Sequence, residues 1–384
     1  MNVIVIGLGA MGGAAAQHLA ERGCRVRGFD LFTPPHSHGS SHGLTRIFRQ
    51  AYFEDHRYVP LLIRSFELWQ KLEADSGERL LHLPGALVVG PVDGQLVKLS
   101  AASAAQFALP HEILDAKELQ RRYSIFNIKP ETHGVLERNA GYLLPEKCVE
   151  QQLRLAAKSD AQLHTNEPVL DWQAEKNGSG VSVRTAKGNY SADHLVITAG
   201  PWAPQVLGSL ELPLHTTRQV VYWFSPSGSI DPFREDRLPV YLFEAEGNDE
   251  LTLYGFPLTG PDEEGIKVAL HGSKELCTPD TICRDIRPAD EQSIRKRLAK
   301  TIPALAGRML RAETCLYTMT PDEHFLLGTL PENPRVSIAT GFSGHGFKFA
   351  PVIGEIMADL VLQGSTTWDL NLFSLTRFRK NQPV

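Results

Sequence analysis

Short apolar runs, glycine turns and amphipathic stretches follow one another at the start of the chain. Residues 3–6 are an uninterrupted β-branched run, which predicts a buried parallel strand. The glycine-rich turn at 7–12 and the apolar stretch through Leu19 predict a helix that ends at Gly23. Residues 25–30 predict the next strand, which ends in Asp30. Strand, turn, helix and strand in this order are typical of a nucleotide-binding βαβ unit.

The C-terminal end of the chain repeats this alternation. Residues 336–340 predict a buried strand, and a glycine-rich turn follows at 341–346. Val352, Ile356 and Leu360 lie one helical turn apart and predict a helix that ends at Gly364. We therefore expect both ends of the chain to join one nucleotide-binding domain.

The middle of the chain has a different period. Between 218 and 273, short runs with strand character predict an antiparallel sheet. Residues 181–185 and 190–198 predict a hairpin, whose second strand leads to Gly200 and a close backbone approach to the nucleotide. Helices are predicted from Pro60, from Pro145 and over 290–302. The fold class is α/β: a discontinuous Rossmann-like domain (1–83, 145–215 and 320–384) and an antiparallel-sheet substrate domain with α+β character (84–144 and 216–319).

Composition narrows the class of protein. The 384 residues are 22% charged and 42% hydrophobic, with a net charge of −5, as in an ordinary globular protein. This charge argues against general nucleic-acid binding, and no apolar run approaches the roughly 18 residues that cross a membrane. The start lacks the basic region of a signal peptide, so we expect a cytoplasmic protein. The 5 cysteines are scattered, which predicts neither a disulfide framework nor a metal site.

The glycine turn after the first strand has the chemistry of pyrophosphate binding. Gly7, Gly9 and Gly12 let backbone N–H groups approach a phosphate at a helix N-terminus, where the helix dipole favours negative charge. Asp30 would accept hydrogen bonds from a ribose. The strand before, the helix after and the acid about 20 residues on make this a specific signal. The motif alone does not separate NAD from FAD.

Two further segments carry reactive side chains. Cys315 lies in the block 314–325, and the turn 341–349 holds His345 and Lys348. A thiol beside a glycine-rich turn with a cation suits an anionic, planar cofactor better than core packing does. A long loop rich in helix breakers, 31–43, follows Asp30, and such loops are often functional.

Together these segments resemble the monomeric sarcosine oxidase and N-methyltryptophan oxidase family of FAD-dependent amine oxidases. The resemblance runs along nearly the whole chain, and the blocks from Cys315 and from Gly341 are its most specific parts. Its motifs are the N-terminal glycine turn, Pro34-Pro35-His36, Ser41-His42-Gly43 with Thr45-Arg46, Tyr58-Val59-Pro60, Arg218 to Val221, Tyr254 to Pro257, Lys267 with His271, Cys315 with Tyr317, Thr320 to Phe325, and Gly341 to Phe349.

The resemblance implies FAD, held covalently by a thioether from Cys315 to the flavin 8α carbon. Nearby cations would lower the pKa of this thiol, whereas a buried apolar cysteine is the alternative. The other residues implied in binding FAD are Gly7, Gly9, Gly12, Asp30, Ser41, His42, Thr45, Arg46, Gly200, Gly344, His345, Gly346 and Lys348.

The resemblance also implies the reacting side of the site. Arg49 matches the arginine that pairs with the substrate carboxylate, with Lys348 as the second cation; the alternative for Arg49 is a structural salt bridge. Lys267 matches the lysine that activates oxygen, although a strand lysine is usually solvated. Tyr317 and His271 would line the substrate side.

Some positions depart from the family pattern. Ser41 stands where relatives have a second histidine, and Leu44 where they often have aspartate. The segments 246–250 and 261–265 also look unlike the sarcosine-specific members. These departures indicate an altered pocket rather than an altered fold.

We therefore expect a monomeric oxidase of a secondary amino acid, N-methylated or cyclic, that uses O₂ and gives an imine and hydrogen peroxide. Alternatives are an oxidase of glycated amino acids, and a dehydrogenase of the same fold that passes electrons to a quinone or carrier protein. A nucleotide-binding protein with a regulatory flavin or none is the last alternative. No nucleic acid or membrane is expected as a partner.

Overall fold

The computed structural model describes residues 1–175, 178, 180–245 and 251–379. The segment 246–250, one of the two that suggested an altered pocket, lies outside the described residues. No helix in these ranges is long and apolar enough to span a membrane. The helices are α1 Ala10–Glu21, α2 Val59–Ser76, α3 Gln95–Gln106, α4 Ala116–Arg122, α5 Pro145–Lys158, α6 Ala203–Val206, α7 Pro288–Thr301 and α8 Ala350–Gln363. The strands are β1 Asn2–Ile6, β2 Arg25–Phe29, β3 Arg46–Phe48, β4 Leu81–His82, β5 Ala86–Pro91, β6 His111–Leu114, β7 Thr132–Glu137, β8 Gly141–Leu143, β9 Gln162–His164, β10 Val169–Ala174, β11 Val181–Thr185, β12 Asn189–Ala192, β13 His194–Ile197, β14 His215–Phe224, β15 Val240–Phe243, β16 Thr252–Gly255, β17 Ile266–His271, β18 Leu276–Cys277, β19 Met309–Met319, β20 Leu326–Leu330 and β21 Asn333–Thr340.

The two ends of the chain meet in one sheet, as the sequence predicts. Its strand order is β20-β21-β13-β1-β2-β9, and every neighbouring pair except β20 and β21 is parallel. Helix α1 packs against α5 and α8. Its alanines and glycines allow this close approach, because a Cβ added at Gly354 of α8 would lie 2.6 Å from the backbone of Ala14. The first and last predicted βα units are therefore confirmed.

The predicted hairpin is partly wrong. Its first half exists, since β11 pairs antiparallel with β12. The predicted second strand is, however, broken at Asp193, and β13 leaves for the parallel sheet beside β1. The carboxylate of Asp193 accepts a 2.6 Å hydrogen bond from the backbone N–H of Asn2. This contact fixes the point at which the chain crosses from one sheet to the other.

A second large sheet holds β5, β6 and β7 together with β14 to β19. Its order is β18-β14-β17-β16-β15-β5-β7-β6, and β19 pairs antiparallel with β14 along almost its full length. The predicted antiparallel character is confirmed for β14 to β17, whereas β15 and β5 are parallel neighbours. Smaller sheets, β10-β11-β12 and β3-β8-β4, lie outside these two. One face of the large sheet and the ends of β1, β2 and β21 enclose a common cavity.

Candidate active site

A cavity of about 570 Å³ runs between the two large sheets. At one end it is lined by the glycine turn after β1, by Asp30 and by Gly200. At the other it is lined by Cys315 and Tyr317 of β19 and by the turn before α8. The remaining predicted residues on its wall are Gly9, Ser41, Arg46, Arg49, His271, Gly344, His345, Gly346 and Lys348. Four predicted site residues, Gly12, His42, Thr45 and Lys267, do not line this wall.

The glycine turn at the first end leaves the N-terminus of α1 open to the cavity. Gly7 has a φ of +87°, and a Cβ at Gly12 would overlap the carbonyl oxygen of Gly7. Asp30 accepts hydrogen bonds from the backbone N–H groups of Leu8 (2.7 Å) and Phe32 (2.9 Å). The carboxylate therefore fixes the turn itself, and its contact with a ribose stays a prediction.

Strand β19 carries the thiol, and sequence reasoning did not identify it as a strand. Cys315 and Tyr317 lie two residues apart, so their side chains share one face of the sheet. Cys315 is opposite Gln219 of β14, and both of these side chains line the cavity. Cys315 is 3% exposed, and its sulfur lies 3.6 Å from Arg46 Nη2.

Positive charge surrounds this thiol. Burial alone would raise the pKa of Cys315, but the His42 ring and the charges of His42 and Arg46 lower it to about 7. Burial alone would lower the pKa of His42. The neighbouring Cys315 and Glu313 outweigh burial and raise this pKa. The structure thus brings together Cys315, His42 and Arg46, three of the residues predicted to bind FAD. A sizeable fraction of thiolate near neutral pH follows from this arrangement.

Lys267 lies behind the wall rather than on it. Its ammonium donates hydrogen bonds to the carbonyl oxygen of Gly43 and to the carbonyl oxygen (2.9 Å) and hydroxyl (3.1 Å) of Thr45. Burial, followed by the charge of Arg46, lowers its pKa well below the usual value. The loop 43–45 is therefore tied to the strand that carries this lysine.

The Arg49 guanidinium contacts a carboxylate, a backbone carbonyl and two aromatic rings. Both oxygens of Glu54 accept hydrogen bonds from its Nη2, at 2.6 and 2.7 Å, and Ala51 accepts one from Nη1 at 3.0 Å. Its Cζ atom lies 4.3 Å from the ring centre of Tyr52 and 4.0 Å from that of Phe53. These two rings are nearly parallel, at 11°, and the guanidinium lies close to both of them.

A buried acid supports this loop from behind. Glu137, the last residue of β7, is 2% exposed and accepts hydrogen bonds from the backbone N–H groups of Gln50 (2.8 Å) and Ala51 (2.9 Å). Burial raises its pKa to about 7, although these two amides act in the opposite direction. Sequence reasoning missed Glu137, Phe53 and Glu54. Only the nearness of Phe53 and Glu54 to Arg49 in the chain could have pointed to them.

The turn before α8 places Lys348 near the Tyr52 ring, which Arg49 also contacts. The Lys348 ammonium lies 5.3 Å from the Tyr52 ring centre and donates a 2.7 Å hydrogen bond to the carbonyl oxygen of His345. Burial, and next the charge of Arg49, lowers the pKa of Lys348 to about 7. The two predicted carboxylate-binding cations therefore lie close to the same aromatic ring.

Two histidines of the site, His345 and His271, have lowered pKa values. Burial lowers the pKa of His345 to about 3 and that of His271 to about 4. His345 Nδ1 lies 2.6 Å from the Tyr52 hydroxyl, and His271 Nδ1 lies 3.2 Å from the Tyr317 hydroxyl. Gly344 has a φ of +82°, and a Cβ there would overlap the Tyr317 ring. The turn is thus packed directly on the strand that carries the thiol.

The cavity wall fits a flavin dinucleotide. Thr340 lies on the wall at the end of β21, is 1% exposed, and its hydroxyl has no hydrogen-bond partner among the described residues. A buried hydroxyl without a partner indicates a polar group to be bound there. Gly7 and Gly9 offer the helix N-terminus for phosphates, and Cys315 offers a nucleophile at the far end. These features define an FAD-binding protein.

Comparison with known proteins agrees with this class. Residues 2–360 match the model of the FAD dependent oxidoreductase family. The chain is 47% identical to monomeric sarcosine oxidase of Streptomyces avermitilis, over 98% of this chain and 97% of that protein. It is 34% identical to N-methyl-L-tryptophan oxidase of Yersinia pestis, over 98% and 99% of the two chains.

Solved structures show the same fold. NikD, an unusual amino acid oxidase, matches with a TM-score of 0.84 at 24% identity, over 97% of this chain and 96% of that one. L-proline dehydrogenase from P. horikoshii matches with a TM-score of 0.83 at 23% identity, over 98% and 97%. The chain belongs to the FAD dependent oxidoreductase family, and within it to the group of monomeric sarcosine oxidase and N-methyltryptophan oxidase.

Proposed function

We propose that this protein is an FAD-dependent oxidase of a secondary amino acid, N-methylated or cyclic. The observation that carries the proposal is the pair of cations at one end of the FAD cavity, Arg49 and Lys348, whose charged groups lie 4.3 and 5.3 Å from the Tyr52 ring centre. A substrate with one carboxylate and a neighbouring amine fits such a pair. The names of the relatives, which are oxidases of N-methyl amino acids, support the same substrate class.

The Arg49 fork is suited to a carboxylate in a bidentate manner. Its Nη2 already donates hydrogen bonds to both oxygens of one carboxylate, that of Glu54, at 2.6 and 2.7 Å. We expect the substrate carboxylate to take up this geometry, with Lys348 as the second donor. Binding there would fix the position of the adjacent C–N bond relative to the rest of the cavity.

Neutral side chains face the amine. Because burial lowers the pKa of His271, its neutral ring does not repel an ammonium. When Nδ1 donates to the Tyr317 hydroxyl, Nε2 can accept a hydrogen bond from the amine. The Tyr317 hydroxyl, 3.2 Å from His271 Nδ1, orients this ring. FAD, when bound, accepts two electrons and a proton from the C–N unit, and the imine product hydrolyses to an amine and a carbonyl compound. The neutral amine is the reactive form, since an ammonium has no lone pair to form the imine.

We further propose that FAD is attached covalently through Cys315, that O₂ is the electron acceptor and forms hydrogen peroxide near Lys267, and that the enzyme is a cytoplasmic monomer. The thiolate character of Cys315 supports the attachment. The word monomeric in the names of several relatives supports the oligomeric state, which sedimentation of the purified protein measures.

A peroxide assay tests the activity. The panel contains sarcosine, larger N-methyl amino acids, pipecolate, proline and glycated amino acids, each with and without its carboxylate blocked as an amide. We expect peroxide from at least one free acid and little from its amide. If no free acid on the panel yields peroxide, the proposal is wrong. Peroxide only from glycated amino acids would instead favour the fructosyl-amine class of substrate.

Acid precipitation tests the attachment. Flavin that stays in the denatured pellet of the wild type and is released by Cys315→Ala supports a thioether at this residue. Cys283→Ala, at an exposed cysteine, is the matched control and should retain the flavin. Flavin in the pellet of Cys315→Ala would place the attachment elsewhere.

One observation favours a second candidate, a dehydrogenase that passes electrons to a quinone or a carrier protein. The Lys267 ammonium directs its donors at Gly43 and Thr45, which leaves it engaged within the protein. Rapid substrate-dependent dye reduction with slow O₂ consumption would support this candidate over the oxidase.

A further inference from the structure

An acid that the proposed reaction does not use lies on the same strand as the thiol. Glu313 precedes Cys315 by two residues on β19, so both side chains point to one face of the sheet. One Glu313 oxygen lies 3.7 Å from His42 Nδ1, and the other lies 3.5 Å from Arg311 Nε. Glu313 thus stands next to the ring that affects Cys315, without facing the cavity itself.

The His42 ring has an unusual position for a buried histidine. It is 4% exposed, and neither of its nitrogens has a hydrogen-bond partner among the described residues. A buried ring without such partners is oriented by charge, and the nearby acid is Glu313. The loop that carries His42 supplies no acid of its own, because Leu44 packs among Val221 and Trp223. Glu146 approaches this loop but accepts hydrogen bonds from the backbone N–H groups of Gly43 and Leu44 instead.

The charged and titratable groups around the sulfur come from several elements. They are His42 and Arg46 from the loop and β3, Lys267 from β17, Tyr254 from β16 and Tyr317 from β19. Of the two cations that lower the pKa of Cys315, His42 and Arg46, only His42 has a usual pKa near neutrality. The charge of Arg46 lowers the pKa of His42, and Glu313 raises it. Between these two cations, the proton on His42 is therefore the one that an acidic neighbour controls.

We propose that Glu313 is a positioning residue for Cys315: its carboxylate holds the protonated His42 ring beside the sulfur and so favours the thiolate. Glu313 acts through His42 and has no contact with substrate in this arrangement. The inference rests on the proposed function in one respect, namely that the thiolate is the form in which Cys315 would attach FAD.

The test measures the thiolate in the full chain without flavin, produced in a riboflavin-starved host. Iodoacetamide reacts with the thiolate, and mass spectrometry of the Cys315 peptide gives the alkylation rate from pH 5 to 10. We expect a midpoint near 7 in the wild type. Glu313→Gln should raise this midpoint by about one pH unit, because His42 loses its proton more readily. Glu313→Asp, which keeps the charge, should restore much of the difference.

Two controls separate this effect from others. Glu150→Gln removes an exposed carboxylate of α5 and should leave the midpoint unchanged. The exposed Cys283, read in the same digests, reports any general change in reagent access. Equal midpoints in the wild type and Glu313→Gln, or an equal rise in Glu150→Gln, would overturn the inference.

The outcome is independent of whether flavin is attached. Acid precipitation of the holoprotein decides the attachment, and alkylation of the flavin-free chain decides the role of Glu313. Wild-type protein that releases all its flavin, together with a raised midpoint in Glu313→Gln, would refute the covalent proposal and leave this inference standing.

Discussion

Replacing Glu137 by glutamine should change the way in which stability depends on pH. The Glu137 carboxylate is buried behind the Arg49 loop, where it accepts hydrogen bonds from the N–H groups of Gln50 and Ala51. Burial raises the pKa of this group from 4.5 to about 7. The folded protein therefore binds a proton at this site over a pH range in which the unfolded chain has lost it.

The sign and size follow from this difference. Below pH 4.5 the Glu137 carboxyl is neutral in both the folded and the unfolded state, so its titration does not lower the free energy of unfolding. As the pH rises from 4.5 to about 7, the unfolded chain ionises first, and the folded state is destabilised relative to it. The full difference in pKa corresponds to about 3 kcal/mol, most of it between pH 5 and pH 8. Glutamine does not titrate, so Glu137→Gln should lack this loss.

Urea unfolding of the holoprotein at pH 5 and pH 8 measures the effect. The free energy of unfolding of Glu137→Gln, relative to the wild type, should be larger at pH 8 than at pH 5 by about 2–3 kcal/mol. The matched control is Glu131→Gln, an exposed carboxylate just before β7, for which no such change is expected. A relative stability of Glu137→Gln that is the same at both pH values would refute the reasoning.

Three further substitutions test the site itself. Phe53→Leu removes an aromatic ring from beside the Arg49 guanidinium, so the KM of a carboxylate substrate should rise about fivefold with kcat nearly unchanged. Phe53→Tyr keeps the ring and should behave as wild type. A lower kcat at constant KM would contradict this expectation. Since the pKa of Lys348 is about 7, the KM should rise as the pH increases through 7, and Lys348→Arg should remove that rise; the same rise in both proteins would assign it to another group. Lys267→Met should slow reoxidation of the reduced enzyme by O₂ in stopped-flow experiments and leave anaerobic reduction by substrate unaffected; unchanged reoxidation would speak for the dehydrogenase.

The sequence predicts the nucleotide-binding parts of the fold because their signals are local. The glycine turn between β1 and α1 follows an unbroken apolar run, and Gly364, with a φ of +73°, ends α8 where predicted. Each of these features depends on neighbouring residues alone, on a buried strand or on a backbone that only glycine adopts easily. The same holds for the turn that carries His345 and Lys348.

The parts that the sequence does not predict depend on distant contacts. The sequence of strand β19 does not alternate clearly between apolar and polar residues. The reason is that the face with Arg311, Glu313 and Cys315 contacts charged groups rather than a hydrophobic core. The parallel pairing of β15 with β5 joins segments about 150 residues apart, which no local pattern records. Glu137 belongs to the same group of features, since only the folded structure places it under the Arg49 loop.

These non-local contacts explain why the reactive groups have unusual protonation states. The pKa values of Cys315, Lys348 and Glu137 all lie near 7 in the folded chain, although the usual values of a thiol, an ammonium and a carboxyl are far apart. For Lys348 and Glu137 burial disfavours the charged form, whereas for Cys315 neighbouring cations outweigh burial. The site therefore needs long-range contacts: the sheet that carries Cys315 and the loops that carry the cations meet only when the chain has folded around the cavity.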